Sequence, residues 1–204
     1  MRKGKCVTNK LADGTSIKGV HRPQVFVIGG PNGAGKSTIA NRFVGGYLAL
    51  GEFVNADVIA RGLAGFNPDI AALQAGRIML ARVRELAAAR VDFSFETTLA
   101  SRSFAPWLAG LVKEGYEFHL IYSWLRSPQM AVSRVKRRVS EGGHAVPEET
   151  IVMRYARSAF NLINRYIPVA TEWRAYDNSG KDPRLIAVGG SDGTTEVSLS
   201  LIHI

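Results

Sequence analysis

The chain has 204 residues, 46% of them hydrophobic, which is enough for one substantial core and predicts a single domain. No apolar run approaches the roughly 18 residues of a membrane span. The basic N-terminus lacks the apolar stretch of a signal peptide, and the single cysteine, Cys6, excludes an intrachain disulfide, so a cytoplasmic protein is expected.

The net charge of +9 asks for an anionic partner, but the cations are clustered. One group lies within residues 1–22 and a second, mostly arginine, within 126–165. Arginine suits bidentate phosphate recognition, so nucleotide substrates account for the charge and no nucleic-acid module is recognisable.

Residues 1–22 show no sustained periodicity and are expected to form a mobile basic arm or a short hairpin ahead of a domain spanning 23–204. Val25 to Ile28 is an apolar strand. It leads into Gly30-Pro-Asn-Gly-Ala-Gly-Lys36-Ser37, which meets G-x-x-x-x-G-K-[ST] at every defined position. Ile39, Ala40, Phe43 and Val44 then share one helical face, which completes the strand-loop-helix setting of a phosphate-binding loop.

Glycines let the backbone turn its N–H groups onto a polyphosphate, and the helix dipole adds to the attraction. Gly30, Asn32, Gly33, Ala34, Gly35, Lys36, Ser37 and Thr38 are therefore the cofactor-binding candidates. Lys36 is placed to reach the β- and γ-phosphates, and the Ser37 hydroxyl to bind Mg²⁺. ATP and Mg²⁺ are the implied cofactors, while the fate of the γ-phosphate stays open.

Gly51 to Asp57 reads as a short strand ending in polar residues. Asn67, Pro68 and Asp69 form a helix start, and the helix should run to about Arg90, with Ala72, Ala75, Met79, Val83 and Leu86 inward. Val91 to Phe95 is a second buried strand that delivers Glu96, Thr97 and Thr98 at its end. A helix over Phe104 to Glu114 leads into an aromatic strand over Tyr116 to Leu125. This alternation signals a parallel α/β sheet with ligands at the carboxyl ends of the strands, which gathers Gly30, Asp57, Glu96 and the Trp124 region on one edge.

Ser127 to Tyr166 reads as a helical pair. In the first helix Val132, Val135 and Val139 point inward while Arg134, Arg137 and Arg138 share another face. Gly142 and Gly143 break it, and Pro147, Glu148 and Glu149 start the second. There Ile151, Tyr155, Ala159, Leu162 and Tyr166 form the apolar face and Arg154, Arg157, Asn161 and Arg165 the polar one. The pair looks like an arginine-bearing lid over phosphates; two solvated basic faces are the alternative. Glu172 to Tyr176 is a strand, Asp177 to Gly180 a turn, and Arg184 to Val188 with Thr195 to Ile202 a C-terminal hairpin.

No Asn-Lys-x-Asp follows the phosphate loop, which argues against a GTPase, and no Leu-Ser-Gly-Gly-Gln with its acidic strand supports an ABC-type ATPase. A small-molecule kinase needs an acid near the acceptor hydroxyl and mobile cations over the transferred group, and Asp57 and the arginines supply both.

The set GPNGAGKST (30–38), NADVIARGL (55–63), FETTLA (95–100), RVKRRVSEGGHAVPEE (134–149), RYARS (154–158) and YDNSG (176–180) resembles the zeta-toxin-like P-loop kinases. The resemblance implies a five-stranded parallel sheet of order 2-3-1-4-5 flanked by helices, with transfer of the ATP γ-phosphoryl to a nucleotide-linked acceptor such as UDP-N-acetylglucosamine. It also implies an antitoxin partner. It makes Lys36 the phosphate-binding lysine, Asp57 the catalytic acid, and Glu96 and Thr98 acceptor contacts. Arg61 and Thr97 join the acceptor set, and Arg138 and Arg154 the catalytic set, with Arg134 on the nucleotide. His144 stands where the toxin pattern has an arginine, which leaves that position to Arg154 or Arg157. For Asp57 a helix cap, and for Glu96 a carboxylate serving Mg²⁺, are alternative roles. A P-loop ATPase switch without an acceptor is the rival function, and a nucleic-acid kinase a more distant one.

Overall fold

A computed structural model describes residues 8–10, 16–18, 21–44, 52–63, 68–143 and 145–197. Two short strands, β1 (Thr8–Lys10) and β2 (Ser16–Lys18), pair antiparallel.

The centre of the molecule is β3 (Gln24–Gly29), whose Val25, Phe26, Val27 and Ile28 are all buried. Such an unbroken apolar run fits a strand covered on both faces. After the phosphate loop come α1 (Lys36–Val44), β4 (Glu52–Val54), α2 (Ala56–Leu63) and α3 (Pro68–Ala88). Next are β5 (Phe93–Thr97), α4 (Phe104–Lys113) and β6 (Glu117–Trp124). The lid helices are α5 (Pro128–Ser140) and α6 (Glu148–Asn161), the latter widening into a π-helical turn over Leu162–Tyr166. The chain then returns to the sheet as β7 (Glu172–Asp177), β8 (Arg184–Gly190) and β9 (Thr195–Val197).

The sheet order is β4-β5-β3-β6-β7-β8-β9. Its first five strands are parallel and follow the order 2-3-1-4-5; β8 and β9 continue the same sheet antiparallel, so the C-terminal hairpin makes a sheet of seven strands. Parallel pairing puts the carboxyl ends of β3, β4, β5, β6 and β7 along one edge.

One sheet face carries the main core, where Phe93 and Phe95 meet the rings of Phe104 and Trp107 from α4. Tyr116 closes the far end and donates its hydroxyl to the Val91 carbonyl at 3.0 Å. A smaller core of Leu125, Ala131, Val132, Val135 and Ile151 joins the lid helices to Ala34 of the phosphate loop.

Several boundaries differ from expectation. The strand expected at Val91–Phe95 lies two residues later, so Glu96 and Thr97 belong to it and Val91 is 41% exposed. Ala71, not Ala72, faces inward with Ala75, Met79, Val83 and Leu86, because four-residue steps back from Ala75 set the helix phase. Val139 is exposed, since the last turn of α5 runs past the small lid core. The cap expected at Asn67 and the hairpin residues after Val197 lie outside the described residues.

Phe95 has no solvent exposure and packs between Phe93, Phe104 and Trp107. Phe95→Ala should lower unfolding free energy by about 3–5 kcal/mol in urea titrations, from lost burial plus the cavity. Val91→Ala should stay within about 0.5 kcal/mol.

Candidate functional site

The phosphate loop needs its chain very close to two other strands. Gly30, at φ +144°, has room for no side chain, because a Cβ there would fall 2.3 Å from the Ser123 carbonyl oxygen. At Gly35, φ +74°, a Cβ would meet the Asn178 amide at 2.4 Å. Ser123 at the end of β6 donates its hydroxyl to the Ala34 carbonyl at 2.5 Å, and Asn178 after β7 donates to the same oxygen at 2.7 Å. Both donors are buried. The Ile39 N–H bonds to the Gly35 carbonyl at 3.0 Å, so α1 begins directly on the loop and its dipole points into it.

Lys36 donates to the Pro31 carbonyl at 3.1 Å. Burial pushes its ammonium below the usual lysine value; the carboxylates of Glu96 and Asp57 oppose this, and the guanidinium groups of Arg138 and Arg154 reinforce it. Those five side chains, drawn from α1, α2, β5, α5 and α6, therefore share one electrostatic neighbourhood. Arg138 Nη1 lies 3.9 Å from Asp57 Oδ2, and Arg154 Nη1 reaches the Asn32 side-chain oxygen at the loop tip at 3.5 Å. The lid thus touches both the phosphate loop and the acid.

Glu96 is buried at the end of β5. Burial raises its carboxyl above the usual value, Lys36 and the Ser37 hydroxyl pull it back, and Asp57 adds to the rise. Ser37 donates its hydroxyl to Glu96 Oε2 at 3.2 Å, while Oε1 is buried with no hydrogen-bond partner. An orphaned buried carboxylate oxygen beside a loop hydroxyl is a pair of hard donors that fits Mg²⁺. Among the described residues no group of three or more His, Cys, Asp and Glu surrounds a cation, so a bound Mg²⁺ would keep water and phosphate oxygens as its other ligands.

Asp57 lies in the first turn of α2, not on the strand end. The cap of that helix is Asn55, whose side-chain oxygen accepts from the N–H groups of Asp57 at 2.8 Å and Val58 at 3.3 Å. With capping done by Asn55, the Asp57 carboxylate is 68% exposed toward the lid. Arg61 is exposed on α2 and donates to the Asp57 carbonyl at 3.3 Å.

Thr97 and Thr98 accept from the N–H groups of Leu99 and Ala100, respectively, so both hydroxyls shape the loop after β5. Arg134 packs its Cβ against Gly33 of the loop and donates to the Ser179 carbonyl at 3.2 Å. Nearby, burial raises the Asp177 carboxyl, but Ser179 and Arg126 overcome this and hold it below the usual range. Ser37 and Thr38 are exposed at the mouth of the loop.

Sequence reasoning missed Ser123, Asn178 and Asn55. Asn178 stood in the quoted YDNSG segment but read as a turn, and Asn55 stood beside the more conspicuous Asp57. Ser123, in an apolar strand, carried no signal.

The parallel sheet of order 2-3-1-4-5, the loop and the helical lid define a P-loop protein of the kinase type. A family described as an AAA domain matches residues 25–161, and the chain belongs to that family.

An uncharacterised protein of Haemophilus influenzae is 29% identical over 126 residues, covering 62% of this chain and 88% of that protein. Among solved structures, the AvrRxo1-ORF1:AvrRxo1-ORF2 complex with sulphate ions is similar at TM-score 0.69 and 18% identity, covering 87% of this chain and 61% of that one. The chain thus spans about three-fifths of that relative. The same complex solved with ATP has TM-score 0.67 at 17% identity, covering 88% of this chain and 61% of that one. A structure from the PezAT chromosomal toxin-antitoxin system of Streptococcus pneumoniae has TM-score 0.61 at 15% identity, covering 88% of this chain and 76% of that one. The fold expected from the zeta-toxin-like resemblance is the fold observed.

The raised Glu96 carboxyl has a consequence for stability. Its folded value lies above the 4.5 of a free glutamate, so between those two values the native state holds a proton that the unfolded chain has released. Stability from this group is complete below about pH 4.5 and is lost as pH rises through the folded value. Glu96→Gln should therefore melt higher than wild type at about pH 7 without Mg²⁺, with the gap closing toward about pH 4. Thermal unfolding across that range checks it.

Proposed function

We propose that the protein is an ATP-dependent small-molecule kinase, moving the γ-phosphoryl of ATP to a hydroxyl of a nucleotide-linked acceptor. The observation that carries this reading is the convergence on Lys36 of an exposed acid, Asp57, a buried acid, Glu96, and two lid arginines, Arg138 and Arg154. A P-loop that only binds nucleotide has no need of an exposed carboxylate opposite lid cations. The ATP complex of the AvrRxo1 relative supports ATP as donor.

In the proposed reaction the loop N–H groups and Lys36 hold the triphosphate. Ser37 and Glu96 would hold Mg²⁺, which would supply neutralising charge to the triphosphate. Asp57 orients the acceptor hydroxyl and takes its proton as the oxygen bonds to the γ-phosphorus; the bond to the bridging oxygen breaks and ADP leaves. Arg138 and Arg154 cover the charge that spreads over the transferred group.

Glu96 beside Ser37 favours the metal role over acceptor contact for that residue. In this reading Thr97, Thr98 and Arg61 would serve the acceptor, and Arg134, bonded to the Ser179 carbonyl, the nucleotide. UDP-N-acetylglucosamine is the first acceptor to test, on the resemblance alone. The similar chains solved as AvrRxo1-ORF1:ORF2 complexes and from the PezAT system support an antitoxin-like partner for this chain as well.

The test is incubation with labelled ATP, Mg²⁺ and a panel of nucleotide sugars, nucleosides and cofactors, with product masses read out. A phosphorylated product is expected. Hydrolysis that no acceptor diverts would instead make the protein an ATPase switch. With an acceptor in hand, Asp57→Asn should reduce transfer by about 10²- to 10⁴-fold while leaving ATP affinity within a few-fold. Near-normal transfer by that variant would remove Asp57 from the mechanism.

A further inference from the structure

Leu99 is one of two described non-glycine residues with positive φ, at +55°. The other, Arg90, is in the turn that follows α3, where such a conformation commonly ends a helix. Leu99 has no such excuse. A bulky side chain in the left-handed region persists only where the surroundings over-determine it, and such residues gather at functional sites. It lies three residues after Glu96, in the loop between β5 and α4.

Three contacts fix it. Its side chain is fully buried against the backbone of Gly29, where a Cβ would meet Leu99 Cδ1 at 2.6 Å. Its N–H bonds to the Thr97 hydroxyl at 3.3 Å. Its carbonyl accepts from the Asn161 side-chain amide at 2.7 Å, a bond buried at both ends across 62 positions of sequence. Asn161 is the last residue of α6, immediately before the helix widens into the π-turn. Single π-turns inside helices recur at functional sites because they re-aim one side chain. Tyr166, in that turn, donates to the Ser101 carbonyl at 3.3 Å, so the loop is held at two carbonyls by one short stretch of helix.

The same helix carries Arg154, which touches the phosphate loop at Asn32, and Ser158, whose hydroxyl bonds to Tyr122 on β6 at 3.2 Å. Arg154, Ser158 and Asn161 recur at helical spacing, so one face of α6 spans the phosphate loop, the end of β6 and the loop after β5.

We propose that Asn161 is a positioning residue: its amide holds Leu99 in the left-handed conformation and so couples the lid helix to the loop that carries Thr98 and follows Glu96. The kinetic part of this inference rests on the kinase reading; the coupling itself does not. Asn161→Asp keeps the shape but turns the donor into an acceptor facing the Leu99 carbonyl, and Asn161→Leu removes the donor while keeping the volume.

The experiment measures amide hydrogen exchange with and without Mg²⁺ and a non-hydrolysable ATP analogue, together with the kinetics of ATP turnover. In wild type the analogue should slow exchange across 97–103. In both variants that segment should exchange about tenfold faster than in wild type and lose its response to the analogue, while β3 and β6 exchange as before. ATP turnover should fall about tenfold or more in kcat with KM for ATP within twofold, because Asn161 bonds to the Leu99 carbonyl and not to the phosphate loop or Lys36.

Unchanged exchange at 97–103, or acceleration spread evenly over the sheet, would overturn the coupling and leave Asn161 a packing residue. If wild type turns over no ATP under any condition, the kinase reading falls while the exchange result still decides the coupling.

Discussion

The carbonyl of Ala34 is the point on which the site depends. A phosphate loop needs its N–H groups directed at the ligand, and its carbonyls must then find donors elsewhere. Here Ser123 and Asn178, from the ends of the two strands beyond β3, donate to this one oxygen. That arrangement demands close backbone approach, which is why Gly30 and Gly35 have no room for a Cβ. The glycines are usually explained from the phosphate side. In this protein they are equally required from the sheet side, since an alanine at Gly30 would collide with the Ser123 backbone.

The charged cluster built on that scaffold is costly without its ligands. Burial acts against the charged forms of both Lys36 and Glu96, and Glu96 keeps an oxygen with no partner. Their mutual attraction recovers only part of the loss. Arg138 and Arg154 worsen the position of Lys36, while Arg138 lies 3.9 Å from the Asp57 carboxylate. A triphosphate with its cation would relieve all of these at once, by supplying anionic charge to Lys36, Arg138 and Arg154 and cationic charge to Glu96. An unfavourable balance of this kind is expected where side chains are held for binding rather than for stability.

Much of this was legible in the sequence for a physical reason. The phosphate loop is local: spacing, glycines and flanking periodicity all lie within the stretch from Val25 to Val44, and the alternation of strand and helix extends the reading to a parallel sheet. The arginines on α5 and α6 were legible as candidates because helical spacing sorts them onto faces. What could not be read was the partner of each group across the sheet. Ser123 reads as a neutral interruption in an apolar strand, Asn178 as a turn residue and Asn161 as helix-surface polarity. Their roles arise only when β6, β7 and α6 are brought to the edge where β3 and β5 end. Glu96 shows the same limit: its type and position mark it as functional, but only the Ser37 contact favours the metal over the acceptor.

The division of labour between the lid helices follows from where each is anchored. α5 starts directly after β6 with Ser127 as cap, its hydroxyl accepting the Met130 N–H, so its early turns are tied to the sheet. Arg134 on those turns meets the fixed loop at Ser179, whereas Arg138, one turn later, reaches out to Asp57 on α2. α6 is anchored at its other end, through Asn161 and Tyr166, to the loop after β5. Its Arg154 lies about two turns back from that anchor, over the phosphate loop. The turn after α5 closes at Gly142, at φ +85°, and Gly143, whose N–H bonds to the Arg138 carbonyl at 2.8 Å, while Lys136 pairs with Glu148 at the start of α6 at 2.8 Å. Asn161 and Tyr166 tie α6 to the backbone of the loop after β5, and Arg134 ties α5 to the Ser179 carbonyl after β7, so the helices that bear Arg138 and Arg154 are fixed to two strand-end loops through hydrogen bonds to their backbone.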